Sequence, residues 1–188
     1  MEPFRSVRGG GTRVSLAAAE ASLLRSLVGQ VMSLVEPDDL EGPGPGPGDD
    51  AELAALEAMV HGPGADKPPE DPVLARLLPD AYRDDPEAAG EFRRYTELSL
   101  RDGKVAAART VLGTLPERGG RIRLSQPDAE AWLRALNDVR LALGVRLGVT
   151  DDFEEVGNGL NPADPRAAYV WVYHWLAYLQ ESLVEALS

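Results

Sequence analysis

Charge, not reactive chemistry, is what the functional groups of this sequence offer. There is no cysteine and there are two histidines, which removes thiol catalysis, disulfides and thiolate metal sites. His174 would need Glu181 or Glu185 and a further ligand to hold a metal, and no zinc or calcium spacing supports such a site. The glycine-rich stretches hold no GxxxxGK(S/T), no GxGxxG between strand and helix, and no GxSxG. No nucleophile stands at a readable spacing from a base. The expectation is a non-enzymatic protein without a cofactor.

The arginines carry more information. Arg5, Arg8, Arg13, Arg118, Arg121 and Arg123 fall in two short segments whose only acids are Glu2 and Glu117. If those segments pair as strands, Arg8, Arg13, Arg121 and Arg123 share the solvent face while Val14, Ile122 and Leu124 point inward. Such a face can bind phosphate or carboxylate, so direct DNA binding is one reading. A solvated face that protects sheet edges is the other. Arg140 poses a separate question. Trp132, Leu136, Val139, Leu143 and Leu147 form one helical stripe at about 100° per residue, and Arg140 falls inside it. A guanidinium keeps its charge, so it must be paired, hydrogen-bonded or placed at a contact. Arg140 with Asn137 is therefore either an interface contact or half of an internal ion pair, with Glu20 the candidate partner. In the aromatic group Trp171, Tyr173, His174, Trp175 and Tyr178, Trp175 reads as core. Trp171 and Tyr178 lie on the polar side and are candidate partner contacts. Asp84 and Asp85 read as helix-capping acids.

These residues need positioning elements. Phe4–Val14 reads as a hairpin around Gly9-Gly10-Gly11. Ser15 then caps a helix from about Leu16 to Val35, with Leu16, Leu23, Leu27, Val31 and Leu34 on one face, ended by Pro37. Residues 41–50 and 61–72 are Pro/Gly-rich and read as flexible loops, around a short amphipathic helix at 51–60. A helical turn covers 73–78. A long helix runs from about Glu87 to Leu115, and Leu98, Val105 and Leu112 recur on it at seven-residue spacing. A two-sided helix is either central to its own bundle or shared with a second copy, so these three leucine and valine positions are a candidate homodimer seam. Arg121–Leu124 is a strand candidate. Ser125–Glu130 opens a helix to about Gly148, an acidic loop covers 149–165, and a last helix spans 166–187. The expected fold is mainly α, about five helices with a small antiparallel sheet made of the N-terminal hairpin and the strand near 121–124.

Composition sets the outer bounds. The 188 residues suit one domain over 1–188, and 44% hydrophobic content can fill a core. A net charge of −12 opposes generic nucleic-acid binding and favours partners with basic surfaces. No apolar run reaches about 18 residues, and Met1–Arg5 lacks a signal-type apolar stretch, so a cytoplasmic protein off the membrane is expected.

The segments LLPDAYRDDPEAAGEFRRYTE (77–97), AEAWLRALNDVRLALGVRLGV (129–149) and YVWVYHWLAYLQESLVEAL (169–187) resemble the actinobacterial family called domain of unknown function 2017. The N-terminal FRSVRGGGTRVSLAAAEASLLRSLVGQ is similar to it too. Asn137, Asp138 and Arg140 match its ALND-R segment, and Tyr82, Arg93 and Trp175 match motif positions. The family is often encoded beside the Clp-protease adaptor and a cysteine-biosynthesis cluster, and some members are described as oxidative-stress transcriptional regulators acting with a sigma factor. The resemblance implies a cytoplasmic regulator working through contact with a sigma factor or RNA polymerase. The alternative is an accessory protein in Clp proteolysis. A thiol switch, proposed for some members, has no cysteine to use here. An oxidant response would fall to the three methionines or to a partner.

Overall fold

The computed structural model describes residues 2–36, 67–82, 84–149 and 164–188. The order is β1 (Glu2–Ser6), β2 (Thr12–Leu16), α1 (Ala18–Val35), α2 (Pro72–Leu77), α3 (Pro86–Thr114), β3 (Gly120–Leu124), α4 (Gln126–Leu147) and α5 (Pro165–Leu187). The mainly-α architecture with a small antiparallel sheet is the expected one. The loop at 41–50, the helix at 51–60 and most of the loops at 61–72 and 149–165 lie outside the described residues.

The hairpin turns because Gly9, Gly10 and Gly11 adopt φ of 95°, 103° and 82°, a region costly to any residue with a Cβ. The sheet order is β1-β2-β3, antiparallel throughout. Its inner face presents Phe4, Val14, Leu16, Ile122 and Leu124, all buried. Phe4 meets Trp132 of α4 edge-on at 5.8 Å, and the Phe4 amide donates to Ser182 Oγ of α5 at 3.2 Å. The strand edge at β1 is thus covered by α5, which it contacts extensively.

α4 is the central helix and touches the other four. Ser125 caps it, accepting the Asp128 amide at 3.3 Å, and Gly148 ends it at φ 65°, the left-handed stop that glycine allows. Trp132 is fully buried, with its indole N–H donating to Thr114 Oγ1 at 2.8 Å. Asp85 caps α3 at Ala88 (3.0 Å), with Pro86 as the first helical residue. Asp71 caps α2 at Val73 (2.7 Å) and Leu74 (2.9 Å).

Three local expectations are corrected. Ser15 does not cap α1, because β2 keeps pairing with β3 through Leu16↔Gly120. Ala17 is the N-cap, and Glu20 closes the turn by accepting the Ala17 amide at 2.7 Å. The deepest face of α1 is Ala21, Leu24, Val28 and Val35, while Leu23, Leu27, Val31 and Leu34 are only half-buried. α1 packs on both α3 and α4, which turns its buried sector away from the stripe read from sequence. Finally, the Leu98, Val105 and Leu112 stripe is not a free seam. Val105 is buried with Val35, Val73, Leu77, Leu78 and Ala142, and Leu112 packs on the main core. At Val105 and Leu112 the chain's own helices take the contacts that a second copy would need, while Leu98 is half-buried.

Candidate functional site

Strand register builds the site. Arg5 pairs with Arg13, Arg13 with Arg123, and Ser15 with Arg121. Because Phe4, Val14, Ile122 and Leu124 turn inward, the alternation places Arg5, Arg13, Arg121 and Arg123 outward, where all are exposed. Strands lie about 4.8 Å apart, so Arg5, Arg13 and Arg123 form a row of three positive charges with backbones spread over about 10 Å. Arg8 is exposed in the turn beside the row. The face expected from Arg8, Arg13, Arg121 and Arg123 therefore forms on Arg13, Arg121 and Arg123. It gains Arg5 through the irregular register between Glu2 and Arg5. None of the five makes an ion pair or side-chain hydrogen bond with another described residue. Like charges directly opposite destabilise a sheet by about 0.2–1 kcal/mol per pair. The chain has 31 acidic residues against 19 basic ones, yet no described acid is spent here. Chemically, the face can receive carboxylate or phosphate groups.

Arg140 is half-buried and donates to Gln180 Oε1 of α5 at 2.8 Å. Its guanidinium carbon lies 5.5 Å from the centre of the Tyr173 ring. Gln180 in turn reaches Asn137 Oδ1 at 3.4 Å. Arg140 thus ties α4 to α5 through a neutral amide and a ring face, and its partner is not Glu20, which serves the first turn of α1. Arg76, Asn137, Arg140 and Tyr173 line a groove of about 630 Å³.

Trp171 and Tyr178 stand on the outer side of α5, 58% and 47% exposed. Trp171 stacks on the buried Trp175 at 6.2 Å with planes 5° apart. The outward strip on α5 is thereby anchored to the core.

A buried charge network escaped the sequence reading. Arg93 and Glu97 of α3 are 6% and 7% exposed. Arg93 donates to Glu97 Oε2 (2.7 Å), Asp80 Oδ1 (2.5 Å) and the Leu78 carbonyl (3.2 Å), and Arg101 donates to Glu97 Oε1 (2.9 Å). Burial alone would lower the Arg93 pKa, but hydrogen bonds to Asp80 and Glu97 hold it above its ordinary value. The i,i+4 spacing of 93, 97 and 101 was the available signal. Lys104 donates to the buried Asp138 at 2.6 Å, joining α3 to α4. Burial pushes the Asp138 carboxyl above the usual range, and Lys104 pulls part of that back. This pair sits in a groove of about 560 Å³ with Leu100, Gly103, Ala107 and Ala131. Among the described residues no group of three His, Cys, Asp or Glu could hold a metal ion. No described helix is long and apolar enough to cross a membrane.

Comparison with known proteins adds the relatives. A Mycobacterium tuberculosis protein named oxidative stress regulator AosR is 39% identical over 188 residues, covering 93% of this chain and 81% of the relative. A Mycobacterium bovis protein of the same name matches to the same extent. A Mycobacterium leprae relative is 36% identical over 198 residues, covering 98% of this chain and 82% of its own. No solved structure matches. The model of one family spans residues 1–187, taking in the sheet, its arginines and the helices beneath them. The chain belongs to that family, described as a domain of unknown function, DUF2017.

Proposed function

We propose that this chain is a cytoplasmic, non-enzymatic regulator in the oxidative-stress response, acting on transcription by holding a protein partner on its arginine face. The relatives named oxidative stress regulator support the response. The observation that carries the contact is the Arg5–Arg13–Arg123 row, which makes no ion pair with a described residue. A row that costs stability is explained when an outside anion completes it. The partner's contacting surface is then acidic, which reverses the expectation drawn from net charge alone. The partner is a sigma factor or RNA polymerase.

The test is affinity capture from the native host, with and without peroxide, using the wild-type chain and Arg13→Glu with Arg123→Glu. Wild type should recover RNA polymerase or a sigma factor, and the variant should not. Equal recovery by the variant removes the arginine face from the reading. Recovery of the Clp protease in place of polymerase replaces the transcriptional reading with the proteolytic one.

A further inference from the structure

We infer that β3 is a docking edge for an extended acidic segment of the partner protein, which joins the sheet as a fourth strand. The inference rests on the arginine-face reading and names the chemistry and conformation of what binds there. Four observations carry it. First, the sheet has two edges, and they are treated differently. β1 is packed against α5, whereas β3 ends the sheet, and no described residue hydrogen-bonds to its outer backbone groups. Second, Arg121 and Arg123 both stand exposed on this edge strand, two residues apart. A strand added beside β3 would lie about 4.8 Å away, and its alternate side chains would repeat every 6.6–6.8 Å or so, the pitch that separates Arg121 from Arg123. Carboxylates at alternate positions of the added strand would therefore meet both guanidiniums. Third, Gly120, which opens β3, is itself exposed, and no side chain of its own crowds an approaching strand. Fourth, edge strands are commonly blunted by charge, but a guard of one sign only is selective. It turns away basic and apolar strands and admits an acidic one.

Duplex DNA fits less well. Duplex binding draws its affinity from many phosphate contacts, about 6–10 in a strongly salt-dependent binder, whereas this face offers five arginines, and the chain's −12 charge repels a long polyanion. A short acidic peptide gains the local attraction and the backbone pairing without meeting most of that field.

The experiment titrates the full chain with a labelled peptide of alternating acids, acetyl-Thr-Glu-Val-Glu-Thr-Glu-Val-amide, and reads anisotropy and the backbone amide spectrum. Three comparison ligands are used: the same peptide N-methylated at alternate backbone nitrogens, a peptide of the same composition with its acids clustered, and a DNA duplex. The expected result is saturable binding with the largest amide shifts at Gly120–Leu124. N-methylation should weaken it at least tenfold, clustering should weaken it, and Arg121→Gln with Arg123→Gln should weaken it about tenfold. Both arginines are exposed, so a circular dichroism spectrum identical to wild type should confirm that this variant is folded. Equal binding of the N-methylated peptide overturns strand addition while leaving the arginine face as a charge contact. Tighter binding of the duplex overturns the peptide partner. No peptide binding at all overturns the inference, and the capture experiment above then shows separately whether the wider reading stands.

Discussion

Replacing Arg93 with methionine tests what holds α2 and the loop after it against α3. Methionine keeps most of the aliphatic stem and its packing, and removes the charge and its donors. Three contacts are lost: Glu97 Oε2, Asp80 Oδ1 and the Leu78 carbonyl at the end of α2. Breaking a buried ion pair commonly costs about 3–5 kcal/mol, because a charge is left without compensation. Here the lower end applies, about 3 kcal/mol, since the surviving acids are not both stranded. Glu97 keeps Arg101, bonded to its Oε1 at 2.9 Å, and the Asp80 side chain is 33% exposed and can rehydrate. For a chain of this size each kcal/mol moves Tm by about 2–4 °C, so Tm should fall by about 6–12 °C. Adding Glu97→Leu should recover part of the loss, because Arg101 still donates to the Val35 carbonyl at 3.1 Å and no buried acid of this network is left unpaired. The assay is a thermal scan by circular dichroism together with amide hydrogen exchange over residues 73–78. A fall of less than about 2 °C by the same scaling, or unchanged exchange at Leu77 and Leu78, would refute this account of the network.

Relieving the charge row with Arg13→Thr removes two like-charged pairs, Arg5–Arg13 and Arg13–Arg123, and should raise stability by about 0.4–2 kcal/mol, since threonine also suits a strand, while binding of the acidic peptide falls; a lower Tm would show that the row stabilises the fold. Arg140→Ala should cost only about 1–2 kcal/mol, because its partners are a neutral amide and a ring face, and a loss above 3 kcal/mol or so in chemical denaturation would mean that a buried acid had been stranded. Asp138 should titrate above the ordinary 3.8 when followed by carboxyl-carbon NMR. With the folded value above the unfolded one, the folded protein holds a proton in that interval that the unfolded chain has released. Its contribution to stability therefore grows as pH falls through the interval and is lost as pH rises through the folded value. A midpoint at or below 3.8 contradicts the burial account.

Local signals were readable and non-local ones were not. Ser125, Gly148, Asp85 with Pro86, and Gly9–Gly11 mark caps and turns by their own chemistry, so α3, α4 and the hairpin could be placed from sequence. The outward set Arg13, Arg121 and Arg123 follows from strand alternation, but Arg5 joins the row only through an irregular register that no local pattern specifies. Arg140 announced itself as a misfit in an apolar stripe. Its partner could not be read, because Gln180 lies on another helix and is neither charged nor distinctive. Leu98, Val105 and Leu112 show the limit most plainly. Seven-residue spacing says that a helix face is buried and not against whose surface, and for Val105 and Leu112 the neighbours belong to the same chain.

The bond from the Phe4 amide to Ser182, 178 positions away, has a consequence during synthesis. The hairpin leaves the ribosome before the helix that covers β1, so Phe4 and Val14 stay unsheltered until α5 follows. Such exposed apolar hairpins invite association with one another. Like-charged guanidiniums on the opposite face of each nascent hairpin would keep them apart until α5 arrives, and the finished protein would inherit that repulsion as a surface waiting for an anion.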